Sequence, residues 1–475
     1  MELDETAHIL DHQYVPDTPE SSKSDLHQLV EDSDKDDRQR STMPMASFNF
    51  INSIIGSGII GMPFALKEAG FGLGIILIIL ITIITDYSLV LLIHGGELSN
   101  TNTYQDVMRA AFGRSGFIIL TIMQFLYPLI AMISYNVIIG DTVTKIVTWI
   151  GGPKIAASVL GQREFVIIIM SLFVTLPLSL YKNIAKLSKV SLMSVIFIVF
   201  IIAVMIVKGF TMPVPQTTDA WQFGNTGITK AIGIMAFAYM CHHNSFLIYD
   251  SLQEPTEKRW GMVTHVSVLV AMMCTLVLGI TGYATFTGYT QGDVLENYCH
   301  LDDIINVSRF LFAITIMLTF PIECFVCREV VENALFAFQK PVPLWRHVAV
   351  TGVIIAVTVL LSMTTDCLGI VLELNGVINA APLAYIFPSL CVMKLQNIRL
   401  LSVQNIPIIL TALFGLLVCL AGAIMIIVEV AQGVNCSHGK EMPYCLSPKS
   451  NFFNGSQPDQ VVLGFNSTSP PYTVL

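Results

Sequence analysis

Charge is what this sequence has least of. Asp, Glu, Lys and Arg make up 12% of its 475 residues and hydrophobic residues 53%, whereas an average soluble chain is roughly 25% charged. That balance excludes an ordinary water-soluble protein. A basic patch suited to nucleic acid is lacking. So is a Gly-rich Walker loop, which speaks against an ATP-driven pump. The acidic opening does not carry the basic stretch and short apolar run of a secretory signal, so none is expected there. Cysteines number only ten, and Cys241, Cys274, Cys324, Cys327, Cys391 and Cys419 fall in apolar stretches, the pattern of a membrane protein rather than a disulfide scaffold. Cys324 and Cys327 have zinc or redox spacing, but they lie in a hydrocarbon-length run with no second ligand pair, so no metal is expected there.

What charge there is, is unevenly placed. The net charge is −9, yet residues 1–42 hold 12 acids against Lys23, Lys35, Arg38 and Arg40, and the remainder is nearly neutral. Two objects therefore meet near residue 43: an acidic polar tail (1–45), expected to be disordered because it cannot bury enough apolar surface, and a long apolar body.

A hydrocarbon core about 30 Å thick takes about 20 apolar residues per helix. Eleven such windows are read, at 46–69, 71–95, 117–147, 164–181, 186–208, 228–252, 261–288, 305–338, 346–363, 368–393 and 405–432, so the expected fold is an all-α integral membrane protein with eleven transmembrane helices. Lys and Arg concentrate in the loops that are cytoplasmic if the N-terminus is inside; an odd span count then places the C-terminal tail (434–475) outside or in a lumen. The sequons at Asn435, Asn454 and Asn466 agree with that face, whereas the one at Asn306, at the mouth of an apolar helix, is read as accidental. Cys299, Cys367, Cys436 and Cys445 face outward, and one disulfide is expected, Cys436 with Cys445 or Cys299 with either.

The informative irregularity is the first window, where Asn52, Ser53, Gly56, Ser57 and Gly58 interrupt an apolar run. A broken helix survives in lipid only where its freed amides and carbonyls face protein, water or ligand. Close packing by small residues is the bland alternative and is preferred for Gly61. For Asn52 to Gly58 a binding site is preferred, because an unwound step offers amides to a carboxylate and carbonyls to an ammonium or sodium ion. Inverted repeats predict a second break at the matching place. The sixth window supplies it at Phe237, Tyr239 and Cys241, before His242, His243 and Asn244. The body (46–433) then divides into repeat one (46–208), repeat two (228–393) and an extra helix (405–432).

These residues carry a resemblance. Asn52-Ser53-Ile54-Ile55-Gly56-Ser57-Gly58-Ile59, Phe237-Ala238-Tyr239-Met240-Cys241-His242 and Leu318-Thr319-Phe320-Pro321 with Arg328 are similar to the sodium-coupled neutral amino acid transporters of the amino acid/auxin permease family, over Asn49 to about residue 430. The resemblance implies a five-plus-five inverted repeat with broken first and sixth helices, a substrate held between the breaks, and sodium as the coupling ion on Asn52 and Thr319. Without it, Thr319 reads equally well as a hydroxyl bonded to its own helix. The chain departs from relatives that have proline after the sixth-helix histidine, since His243 stands there.

The intramembrane acids Asp86, Glu323 and Glu373 are functional candidates by their cost alone. Asp86 or Glu323 would carry a proton if coupling used protons; His242 and His243 read either as a pH sensor or as a hydrogen-bonded pair capping the interrupted helix; Glu373 and Arg309, near outer helix ends, are expected to pair. Asn375, Gly376 and Asn379 should make the tenth helix irregular. The expected function is secondary transport of neutral amino acids across a lipid bilayer, in the plasma membrane or an endolysosomal membrane, with no cofactor beyond sodium and no enzymatic chemistry. The rivals are proton-coupled transport or exchange, and an amino acid receptor signalling through its tail. Removing residues 1–42 is expected to leave flux through the purified protein intact; loss of flux in proteoliposomes would place the tail in gating.

Overall fold

A computed structural model describes residues 41–181, 188–212, 214, 216–336, 342–365, 367–397, 403–432 and 442–446. Most of the acidic tail, the sequons at Asn435, Asn454 and Asn466, and Cys436 lie outside the described residues. Among the described residues the protein is helical, with no sheet beyond one isolated bridge, Ser41 with Leu252, which ties the start of the first span to the end of the sixth.

Among the described residues nine helices are long and apolar enough to cross a membrane, and the bent first span, Met43–Ile54 with Ser57–Ala69, makes a tenth. The expected fourth span is a helix too, Arg163–Met170, Ser171–Thr175 and Leu176–Ser179 in succession. At 1.5 Å per residue it is about 25 Å long, short of the hydrocarbon core, so length does not carry the count to eleven. The other spans follow the expected windows. The third runs further, Tyr104–Ala156, because Gly113 and Gly152, both at φ 65°, turn the chain where a side chain would be strained and join short flanking helices to it.

The helices are inside-out relative to a soluble core. Ile83, Phe210, Leu360 and Ile427 are exposed around the perimeter, which in a bilayer is the lipid belt, while Ser134, Asn136, Thr275, Thr358 and Asn379 are buried. Lipid is as apolar as leucine, so close van der Waals packing rather than water exclusion holds such helices together. Small residues make the tightest contacts. A Cβ on Gly58 would lie 2.5 Å from Ala238 Cα, so the two broken spans touch through backbone. A Cβ on Gly376 would run into the Gly233 carbonyl, which seats the tenth span on the sixth in the same way. Gly61 packs against Leu372 and Ile234, as its packing reading anticipated.

One face carries a disulfide, Cys299 with Cys445, Cα atoms 5.6 Å apart; of the pairings left open, this is the one adopted, and Cys367 is disulfide-bonded as well. Near this face Lys145 binds Glu296 at 2.5 Å, Lys208 binds Asp302, Arg163 binds Asp141, and Lys67 donates to the Thr290 carbonyl at 3.1 Å. The expected Arg309–Glu373 pair does not form. Arg309 turns instead to the carbonyls of Leu295 and Tyr298, both at 2.8 Å, and to Asn306 Oδ1 at 2.6 Å, because the loop before its helix supplies two acceptors and the preceding turn of that helix a third. Asn306 is thereby buried, its amide bonded to His300, in keeping with an unused sequon.

Gly58→Ala and Gly376→Ala are each expected to cost about 1–3 kcal/mol, the range for overpacking against backbone that cannot give way. Gly352, with open space around it, is the control: melting curves of the purified variants should show a lower Tm for the first two and an unchanged Tm for Gly352→Ala.

Candidate functional site

Both expected breaks are present. In the first span the helix ends at Ile54, Ile55 and Gly56 leave helical geometry (ψ 53° and −145°), and a 3₁₀ turn, Ser57–Gly61, leads into a helix with Pro63 in its first turn, the one place where proline's missing N–H costs nothing. The halves meet at 46°. In the sixth span Ile228–Ala238 stops at Tyr239, and His242–Asp250 resumes after Cys241. Neither restarting segment has a side-chain N-cap. Their first amides are the orphan donors common to every helix start, and here they sit in the middle of the protein.

Side chains from five other spans converge on these breaks. Ser57 Oγ is 3.1 Å from Ser134 Oγ of the third span. Asn244 donates to Ser53 at 3.0 Å, stitching the sixth span to the first. Tyr239 shares a hydrogen bond with Thr275 of the seventh at 2.6 Å, and His242 Nε2 meets Ser88 of the second at 2.8 Å. Tyr127 of the third span donates to the carbonyls of Phe237 and Met240, both at 3.3 Å, two of the acceptors released by the break. The Cys241 carbonyl accepts from the Asn244 amide and the Ser245 hydroxyl, while its side chain is buried.

Asn52 is buried on the first span. Thr319, on the eighth, gives its proton to the Thr315 carbonyl at 2.9 Å, the bond common to membrane threonines. No hydrogen bond joins Asn52 to Thr319 among the described residues. Asp86 stands apart, paired with a half-exposed His265 at 2.7 Å. Glu323 does not: it reaches His243 Nε2 at 3.2 Å, with both side chains buried, and Tyr127 lies against the same imidazole at 4.9 Å between ring centres. The histidine that meets the acid is therefore the one in the unusual position after the break.

From the surface opposite the disulfide, a cavity of about 150 Å³ leads inward between Asn102, Gln124, Glu329 and Asn333 and ends at His243 and Asn244. Gln124 Oε1, Asn244 Oδ1 and His243 Nδ1 along it have no hydrogen-bond partner among the described residues. Buried polar atoms left bare in this way call for an explanation, and a polar solute passing between the breaks supplies one. The tenth span borders the region as a distorted helix, with π-turns at Gly376–Ala380 and Pro382–Ile386, Asn375 donating to the Tyr127 carbonyl at 3.0 Å and Asn379 to Asn375 at 2.9 Å. Ser134, Tyr127, Gln124 and Thr275 carried no signal in the sequence, because polar residues scattered along a long apolar helix do not show which of them face a neighbouring span.

Known proteins share this arrangement. A protein of Danio rerio named "Putative sodium-coupled neutral amino acid transporter 11" is 46% identical over 430 residues, covering 90% of this chain and 94% of that one. Its Bos taurus namesake is 44% identical over 435 residues, 90% and 91% of the two chains. Among solved structures, MhsT in complex with L-phenylalanine superposes with TM-score 0.55 at 12% identity over 81% of this chain and 97% of that one. A manganese transporter of Eremococcus coleocola does so with TM-score 0.54 at 14% identity, over 83% and 88%. These two share the fold, a broken-helix inverted-repeat transporter fold. The family described as transmembrane amino acid transporter protein matches residues 39–428, and this chain belongs to it.

Proposed function

We propose that the protein carries neutral amino acids in symport with sodium, by alternating exposure of a site between the two broken spans. The observation that carries this reading is the pair of facing breaks, with uncapped helix starts and bare polar atoms at the end of a cavity. A zwitterion needs donors for its carboxylate and acceptors for its ammonium group, and an interrupted helix offers both without placing a fixed charge in the membrane. The names of the curated relatives favour sodium and a neutral substrate. Asn52 and Thr319 suit sodium as neutral oxygen donors, and Ser53, Gly56, Ser57, Gly58, Phe237, Tyr239 and Cys241 surround the substrate. Tyr239, bonded to Thr275, and Gly58, pressed on Ala238, act on substrate through backbone and shape. One sodium ion crossing 100 mV supplies about 2.3 kcal/mol and a tenfold gradient about 1.4 more, enough for accumulation of a few hundredfold.

The buried His243–Glu323 contact beside the cavity favours one second reading, in which a proton accompanies or replaces sodium. A panel of amino acids offered to proteoliposomes, with sodium and pH gradients imposed separately, decides between them. Sodium-dependent uptake of neutral side chains is expected; full uptake without sodium overturns symport. Asn52→Ala and Thr319→Ala should each weaken apparent sodium affinity roughly tenfold, about 1.4 kcal/mol, in protein that remains folded, and unchanged sodium affinity in both would remove them from the ion site. Glu323→Gln should leave sodium dependence in place while flattening the response to the pH gradient; if it abolishes the sodium response instead, Glu323 belongs to the sodium path.

A further inference from the structure

A second buried acid lies on the other side of the breaks. Glu373 of the tenth span is fully buried, and neither carboxyl oxygen has a hydrogen-bond donor among the described residues. It packs on Gly233, one turn before the Gly376 contact that seats the tenth span on the sixth. Glu429, on the eleventh span, holds Lys230 at 3.0 Å, one turn from Gly233 on the sixth, so the two carboxyls sit over adjacent turns of the same helix. Two ionised carboxylates are acceptors only, so a hydrogen bond between them requires that one carry a proton.

Among the described residues the surroundings do not supply another neutralising charge. From the first span come Lys67 and Glu68, and from the sixth Lys230. Lys230 is committed to Glu429 Oε1 at 3.0 Å and Lys67 to the Thr290 carbonyl at 3.1 Å, and both ammonium groups lie over the Phe64 ring, 5.4 and 5.5 Å from its centre. Glu68 points its carboxyl at Gly227, the start of the sixth span, where the helix dipole favours an anion. Three carboxyls thus meet two cations, and Glu373 is the most buried of the three. Like charges at close quarters do not both ionise, and a shared proton is the usual resolution.

We propose that Glu373 and Glu429 form a proton-binding site at the junction of the first, sixth, tenth and eleventh spans, holding one shared proton while the disulfide-bearing face is closed. Parting the tenth span from the sixth at Gly233 and Gly376 would admit water to Glu373 and release that proton, so closure of this face and protonation of the pair are linked. The site is separate from His243–Glu323 and does not depend on which ion drives transport.

The test is infrared difference spectroscopy of the full-length protein in lipid vesicles, between acidic and alkaline medium. A carbonyl band of a protonated carboxylic acid is expected in acid and lost in alkali. It should lose amplitude in Glu373→Gln and also in Glu429→Gln, where Lys230, released from its partner, is free to pair with an ionised Glu373. Asp293, Asp141 and Glu323 are the competing buried acids, Asp293 because burial beside Glu296 pushes its carboxyl up to about 7 in the loop outside the spans; Asp293→Asn, Asp141→Asn and Glu323→Gln should each keep the Glu373 component of the band. No titrating band in the native protein, a band of undiminished amplitude in folded Glu429→Gln or Glu373→Gln, or one that vanishes only in Asp293→Asn, Asp141→Asn or Glu323→Gln overturns the proposal. Because the readout involves no turnover, its failure leaves sodium symport standing, and failure of symport leaves it standing in turn.

Discussion

In hydrocarbon no water completes the hydrogen bonds of a freed backbone amide or carbonyl, so each interruption of a spanning helix has to be answered from within the protein. Most of this structure follows from that demand. The two breaks lie against each other, Gly58 on Ala238, where neighbouring spans can reach them. Tyr127 answers carbonyls of the sixth span, Asn375 holds the Tyr127 carbonyl in turn, and the π-turns of the tenth span bend it around this group. Among the polar atoms left unanswered, those of Gln124, His243 and Asn244 line the cavity that reaches the break in the sixth span.

The two faces are built differently. On the disulfide-bearing face, ion pairs and glycine seams draw the first, sixth, tenth and eleventh spans together. The opposite face has the cavity. A fold that closes one end by contacts between separable helices and leaves the other end hollow suits the proposed alternating exposure, in which the contacts at each end would set the relative stability of two arrangements. The paired acids belong to this division. Glu323 with His243 adjoins the hollow end, and Glu373 with Glu429 the closed one. Burial makes a carboxyl sensitive to the arrival of water, and Glu373 lies where opening of the closed end would bring it.

Much of this was legible in the chain. Length and apolarity marked the spans, Gly-Ser-Gly in the first and the polar cluster in the sixth marked the breaks, and Asn375, Gly376 and Asn379 marked the distorted tenth helix. Each depends on local chemistry: hydrocarbon thickness, the conformational freedom of small residues, the cost of a polar group in lipid. Partnerships were not legible. Glu373 was expected beside Arg309, since both lie near the same helix ends, but carbonyls of the Leu295–Tyr298 loop reached the guanidinium first. Asp86 looked equivalent to Glu323, yet one faces a half-exposed His265 and the other a buried His243.

The sequence by itself determined that this is a membrane protein, where its helices run and where two of them break, because the bilayer acts on each segment separately and reads only its local composition. Which side chains meet at the breaks, which cysteine pairs with Cys299 and which acid is left without a donor were decided by the tertiary structure alone. The spans are apolar on all sides, so no stripe along any one of them shows which face turns inward, and only packing backbone against backbone at a few small residues sets the rotation that brings those groups together.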